Sequence, residues 1–169
     1  AIEMAKRLAA LGNKVRVYSS CGAMGEGIYD GVKYLLTEKY HDLKCDVLIA
    51  SRMAEALSEG LNIRSKKRYL WTHDVVPKGL TPELAKRADK ILVLSEWHKE
   101  NVLKYNPYLD ADQIEVTQNG LTLSRFDVKV ERNPHKAVVS SSPDRYLPAL
   151  LKIWPQVRAE IPDAELHIF

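Results

Sequence analysis

The stretch Cys45-Asp-Val-Leu-Ile-Ala50 is a short, nearly continuous apolar run. It is too short for a typical helix and shows no polar alternation. Runs of this kind belong to parallel strands covered on both faces. Parallel neighbours need crossover connections, usually helical, so this run predicts an α/β sheet. Ser51 follows and predicts a cap for a helix through about Glu59.

Working outward, the same rhythm recurs. Arg68-Tyr-Leu-Trp-Thr72, Ile91-Leu-Val-Leu94 and Ile114-Glu-Val-Thr117 read as strands. Thr81-Pro-Glu-Leu is a helix start, with threonine as cap and proline at the first helical position. Ser95 caps a helix from Glu96 to about Tyr105, which Asn106-Pro107 ends. Upstream, Ile2, Met4, Ala5, Leu8, Ala9 and Leu11 recur at helical spacing, and Gly12-Asn13 supplies the stop. Val15-Arg-Val-Tyr18 and Val32 to Leu36 follow as extended stretches. Alternating strands and helices predict a doubly wound, Rossmann-like parallel sheet over residues 1–123. Residues 124–136, charged and holding a proline, read as a linker. A new strand, helix and strand occupy 137–169, the start of a second Rossmann-like domain. Residues 1–11 resemble the middle of a helix without a cap, so the chain reads as an internal piece of a larger protein.

The 46% apolar content can fill a core, and the net charge of +3 is too small to indicate nucleic acid. The densest basic cluster, Arg64-Ser-Lys-Lys-Arg68, reads as a solvated loop, with a peripheral membrane contact as its second reading. Cys21 and Cys45 fit no zinc spacing and read as reduced structural thiols, which favours a cytoplasmic location. No run reaches the about 18 apolar residues of a membrane span. No metal pair and no cofactor fingerprint stand out; Gly22-Ala-Met-Gly-Glu-Gly27 lacks the third spacing of a dinucleotide loop and reads as a flexible loop.

Ligands of doubly wound sheets bind at the carboxyl ends of the strands. Two segments stand there. Trp71-Thr-His-Asp-Val-Val-Pro77 places His73 and Asp74 just beyond a strand. His73 could accept a proton or orient a hydroxyl, with Asp74 orienting the imidazole or capping the next turn; a loop histidine satisfied by backbone is the alternative. His98, in Ser95-Glu-Trp-His98, reads as a solvated helix residue. The second segment is Ala137-Val-Val-Ser-Ser-Ser-Pro-Asp-Arg-Tyr-Leu, a strand, a hydroxyl-rich turn and a helix start. Ser141, Ser142 and Arg145 there suit a phosphate, which small hydroxyls admit and an arginine grips.

Three segments in order resemble one family, the retaining GT-B-fold glycosyltransferases that use nucleotide sugars. Ile91-Leu-Val-Leu-Ser-Glu-Trp-His-Lys-Glu-Asn-Val102 is similar to a strand–serine–helix segment late in that family's N-terminal domain. Ile114-Glu-Val-Thr-Gln-Asn-Gly-Leu-Thr-Leu-Ser-Arg-Phe126 resembles its proline-asparagine-glycine signature. Ala137 to Trp154 resembles the first strand and helix of its donor domain. The resemblance implies a truncated GT-B protein acting in glycan biosynthesis. It would transfer sugar from a nucleotide-diphosphate sugar to a glycan or lipid-linked acceptor, in the cytoplasm or at the membrane surface, with no cofactor and no nucleic-acid partner. It implies that His73 is the active-site histidine contacting the transferred sugar, and that Arg145, Ser141 and Ser142 contact the donor diphosphate. Asn119 and Gly120 match the turn at the interdomain cleft. Tyr146 stands where the family commonly has glycine, Gln118 where it has proline and Thr122 where it has aspartate. A nucleotide-sugar epimerase and a non-catalytic nucleotide-sugar-binding module are the alternatives.

Overall fold

The computed structural model describes residues 2–21 and 25–169, apart from the side chain of Arg125. The chain divides into two compact units, Ala1–Gly120 and Leu121–Phe169.

In the first unit, α1 (Ile2–Ala10) ends where Gly12 takes φ +87°. Asn13 N–H donates to the Leu8 carbonyl and Gly12 N–H to that of Ala9, which satisfies the last turn. β1 (Val15–Ser19) then pairs in parallel with β3 (Val32–Leu36), and β2 (Gly27–Tyr29) pairs antiparallel with β3. Asp30 and Gly31, both at positive φ, turn the β2–β3 hairpin as an Asp-Gly pair does. Residues 22–24 of the glycine-rich stretch lie outside the described residues.

The larger sheet is all parallel, in the order β4 (Lys44–Ser51), β5 (Arg64–Trp71), β6 (Lys90–Val93), β7 (Ile114–Val116). Strand order follows chain order without reversal. Right-handed crossovers in such a run place every connection on one face. The packing agrees. Leu70, Ile91, Val93 and Ile114 meet Ala54, Leu57, Ala85, Ala88 and Val102 in a single core. Those partners come from short 3-10 turns after β4, from α2 (Pro82–Ala85) and its sequel, and from α3 (Glu96–Tyr105).

Four expectations change. Residues 1–123 hold two sheets rather than one doubly wound sheet: β1, β3 and β2 form a mixed three-stranded sheet of their own, and the four parallel strands keep chain order with their connections on one face. The run at Cys45–Ala50 is not covered on both faces, because the connections all pack on one; Val47, on the other, is 49% exposed. That other face carries a shallow depression of about 370 Å³ lined by Lys67, Tyr69, Leu92 and Glu115 among others. No α-helix follows Ser51; Ala54–Leu57 and Glu59–Leu61 form 3-10 turns instead. The basic cluster Arg64–Arg68 is not a loop but the first half of β5. Its charges are tolerated in a strand because acids stand beside them. Lys66 pairs with Asp46 at 2.7 Å and Lys67 with Asp89 at 2.9 Å.

In the second unit, β8 (Lys136–Val139) pairs in parallel with β9 (Glu165–Ile168), joined through α4 (Leu147–Glu160). Leu121 to Asn133 contain one 3-10 turn and no strand.

Candidate functional site at the carboxyl edge of the parallel sheet

Parallel strands deliver their carboxyl ends to one edge, and the polar groups of the first unit gather there. β4 ends at Ser51, and Arg52 follows in the left-handed region at φ +66°. Its N–H donates to the Trp71 carbonyl at 2.9 Å, so β4 and β5 stay joined past the last ladder pair. The Arg52 guanidinium then reaches the Asp74 carboxylate twice, Nε to Oδ2 at 3.1 Å and Nη2 to Oδ1 at 2.6 Å. Those bonds hold the Asp74 carboxyl below the usual aspartate range. Asp74 therefore serves Arg52 and does not orient the His73 ring.

His73 is half-buried between these fixed neighbours. Its ring lies against that of Trp71, centroids 4.4 Å apart and planes tilted by 57°. His73 Nδ1 and Trp71 Nε1 are both buried, and neither finds a hydrogen-bond partner among the described residues. Unpaired buried polar atoms cost about 1–3 kcal/mol each, so native folds keep few of them, and a catalytic or ligand-binding role is one reason for keeping one. Burial, with the Arg52 charge adding to it, holds His73 below the ordinary histidine value and so favours the neutral ring.

His98 is not a solvated helix residue. It is 5% exposed, and both ring nitrogens are bonded. Leu94 N–H donates to Nδ1 at 3.3 Å, which assigns the proton to Nε2, and Nε2–H donates to the Asp74 carbonyl at 2.8 Å. The buried Thr72 hydroxyl donates to the same carbonyl at 3.3 Å. One turn along α3, Asn101 Nδ2 donates to the Val75 carbonyl at 2.8 Å. Ser95 caps α3 as expected, its Oγ accepting from His98 N–H at 3.1 Å. Ser95 and His98 thus share the spacing of a Ser-x-x-Glu cap, but the imidazole reaches back to the N–H of Leu94, one residue before the cap, rather than to that of Ser95. That spacing was the available signal for His98, and Arg52 was marked only by its place after the strand.

The other expected residues lie as follows. Asn119 and Gly120 follow β7 at the same edge and are exposed. Ser141, Ser142 and Arg145 stand in the second unit, in the exposed turn between β8 and α4. Arg145 N–H donates to the Ser142 carbonyl at 2.9 Å. The Ser142 hydroxyl donates to the Asp144 carboxylate, so this turn carries an acid beside its arginine. Tyr146 heads α4 in the left-handed region at φ +64° and makes no side-chain cap bond. Among the described residues, no group of three His, Cys, Asp or Glu could hold a metal ion, and no helix is long and apolar enough to cross a membrane.

No family model matches the chain, and no curated protein and no solved structure matches it.

Proposed function

We propose that this chain belongs to a retaining GT-B-fold glycosyltransferase. In this reading the first unit belongs to the acceptor-side, Rossmann-like domain. The second unit begins the donor domain. The protein moves a sugar from a nucleotide diphosphate to a hydroxyl of a glycan or lipid-linked acceptor. The observation that carries the proposal is His73: a half-buried imidazole at the carboxyl end of a parallel strand, held below the ordinary histidine value, with a buried nitrogen that no group among the described residues satisfies. A sugar hydroxyl is the kind of partner such a nitrogen takes. Tyr146 adds support. The position that the resembled family fills with glycine has a left-handed backbone here, the conformation that glycine favours.

The chemistry asks more for leaving-group stabilisation than for a strong nucleophile. Negative charge builds on the diphosphate as the glycosidic bond breaks, and fixed donors aimed at it lower the barrier. Arg145 and the N-terminal end of α4 supply such donors on the second unit. His73 orients the transferred sugar.

The test is calorimetry of the protein made from its complete gene, with UDP- and GDP-sugars, comparing wild type with Arg145→Ala. Binding that weakens by about 1.5–3 kcal/mol, the range of a charge-assisted hydrogen bond, supports the proposal. Absence of binding, or binding indifferent to Arg145, overturns it. Turnover of the bound sugar by transfer, by epimerisation or not at all then separates the transferase from its alternatives.

A further inference from the structure

We propose that His98 and Asn101 are positioning residues for His73: together they grip the backbone that follows it and so fix where its ring stands. This rests on the reading of His73 as the residue that meets the sugar. His98 and Asn101 are three residues apart on α3 and therefore neighbours on one helix face. They take two successive carbonyls, Asp74 at 2.8 Å and Val75 at 2.8 Å. On the other side of His73, Thr72 N–H donates to the Leu92 carbonyl at 3.0 Å and its hydroxyl returns to Asp74. Arg52 holds the Asp74 carboxylate. His73 has neighbours anchored on both sides, so their anchorage determines the position of its ring. A role confined to capping α3 needs only Nδ1 of His98, which faces Leu94. The bond from Nε2 to the loop closes no helix end, and neither does the Asn101 bond.

A side-chain amide can both accept and donate, so glutamine can replace the two functions of His98 in part, whereas alanine replaces neither. The variants are His98→Ala, His98→Gln and Asn101→Ala, in the protein from the complete gene with Trp97→Phe and Trp154→Phe. Trp71 is then the one tryptophan left among these 169 residues, and any tryptophan elsewhere in that protein is replaced by phenylalanine likewise. Two local readouts are the His73 ring resonance by NMR and the quenching of Trp71 emission as His73 gains a proton. Among the described residues, the charged and titratable groups around His73 are Arg52, Asp74 and His98. Transfer kinetics give the third readout.

Loss of either grip should shift the His73 resonance and raise its midpoint toward the ordinary value of about 6.5. It should lower kcat by roughly 10- to 100-fold, the usual effect of misplacing a group at the reacting centre, with donor KM changed little. His98→Gln should recover much of both. An unchanged His73 resonance and midpoint in folded His98→Ala and Asn101→Ala overturns the proposal. Should His98→Ala fail to fold, Asn101→Ala on the helix surface decides alone. A shifted His73 in a protein that transfers no sugar upholds the positioning role and overturns the enzymatic reading.

Discussion

Arg52 and Asp74 close a two-bond ion pair across the ends of neighbouring parallel strands, at 2.6 and 3.1 Å. The pair does more than join two loops. Arg52 reaches it from a left-handed backbone, and Asp74 is the residue after His73. Arg52→Ala should therefore raise the Asp74 midpoint toward the ordinary value of about 3.9, read by carboxyl NMR. Asp74 is depressed in the folded state, so its contribution to stability is present above the unfolded midpoint. That contribution is lost as pH falls through the folded one. Wild type and Arg52→Ala should differ in melting temperature at pH 7 and converge as pH falls through the depressed Asp74 midpoint. A difference unchanged by acid would assign it to backbone strain instead.

Ser95→Ala should cost about 0.5–2 kcal/mol, the loss of a helix cap, measured by urea unfolding. Ser95→Asp should be nearly neutral, because its carboxylate can accept from the same His98 N–H and suits the helix dipole. Equal losses in both would show that the hydroxyl acts other than as a cap.

Gly79 lies at φ +70°, and a Cβ there would press against Glu55 Oε1. Gly79→Ala should destabilise by about 1–2 kcal/mol from the left-handed backbone alone. Glu55→Ala should not rescue it, since a flexible carboxylate end can move aside. Full rescue by Glu55→Ala would place the cost in the contact.

At the start of α4, Asp144 occupies the Ser142 hydroxyl and lies beside Arg145; the bond from Ser142 chiefly holds its carboxyl below the usual range. An acid in that turn opposes a diphosphate. If the turn binds the donor, Asp144→Asn should tighten nucleotide-sugar binding several-fold at low salt, and the gain should shrink as salt screens it. Weaker binding in Asp144→Asn would mean that the carboxylate shapes the turn for its ligand.

Much of the fold was legible locally. The caps at Thr81 and Ser95, the stop at Gly12-Asn13 and the strand at Ile91 each rest on a few adjacent residues whose backbone preferences agree. The β5 strand was half hidden, because Arg64–Lys67 looks like a loop until Asp46 and Asp89 are seen beside Lys66 and Lys67. The segment after Ser51 offered a helix cap, yet it turns immediately: Arg52 takes a left-handed backbone, and Ala54 and Leu57 are buried against the sheet. Of the candidate site, His73 was legible from its place after a strand; its setting was not.

The sequence by itself determined most of the strands, the parallel pairing of the larger sheet and the strand end that bears His73, since short-range periodicity and capping encode these. Only the tertiary structure decided that the sheet's connections pack on one face, that His98 is buried with both nitrogens bonded, and that Asp74 answers to Arg52 rather than to His73. Those outcomes depend on groups 22 to 24 residues apart in the chain meeting at one sheet edge. Burial and hydrogen-bond satisfaction are settled by such meetings, and no local spacing records them.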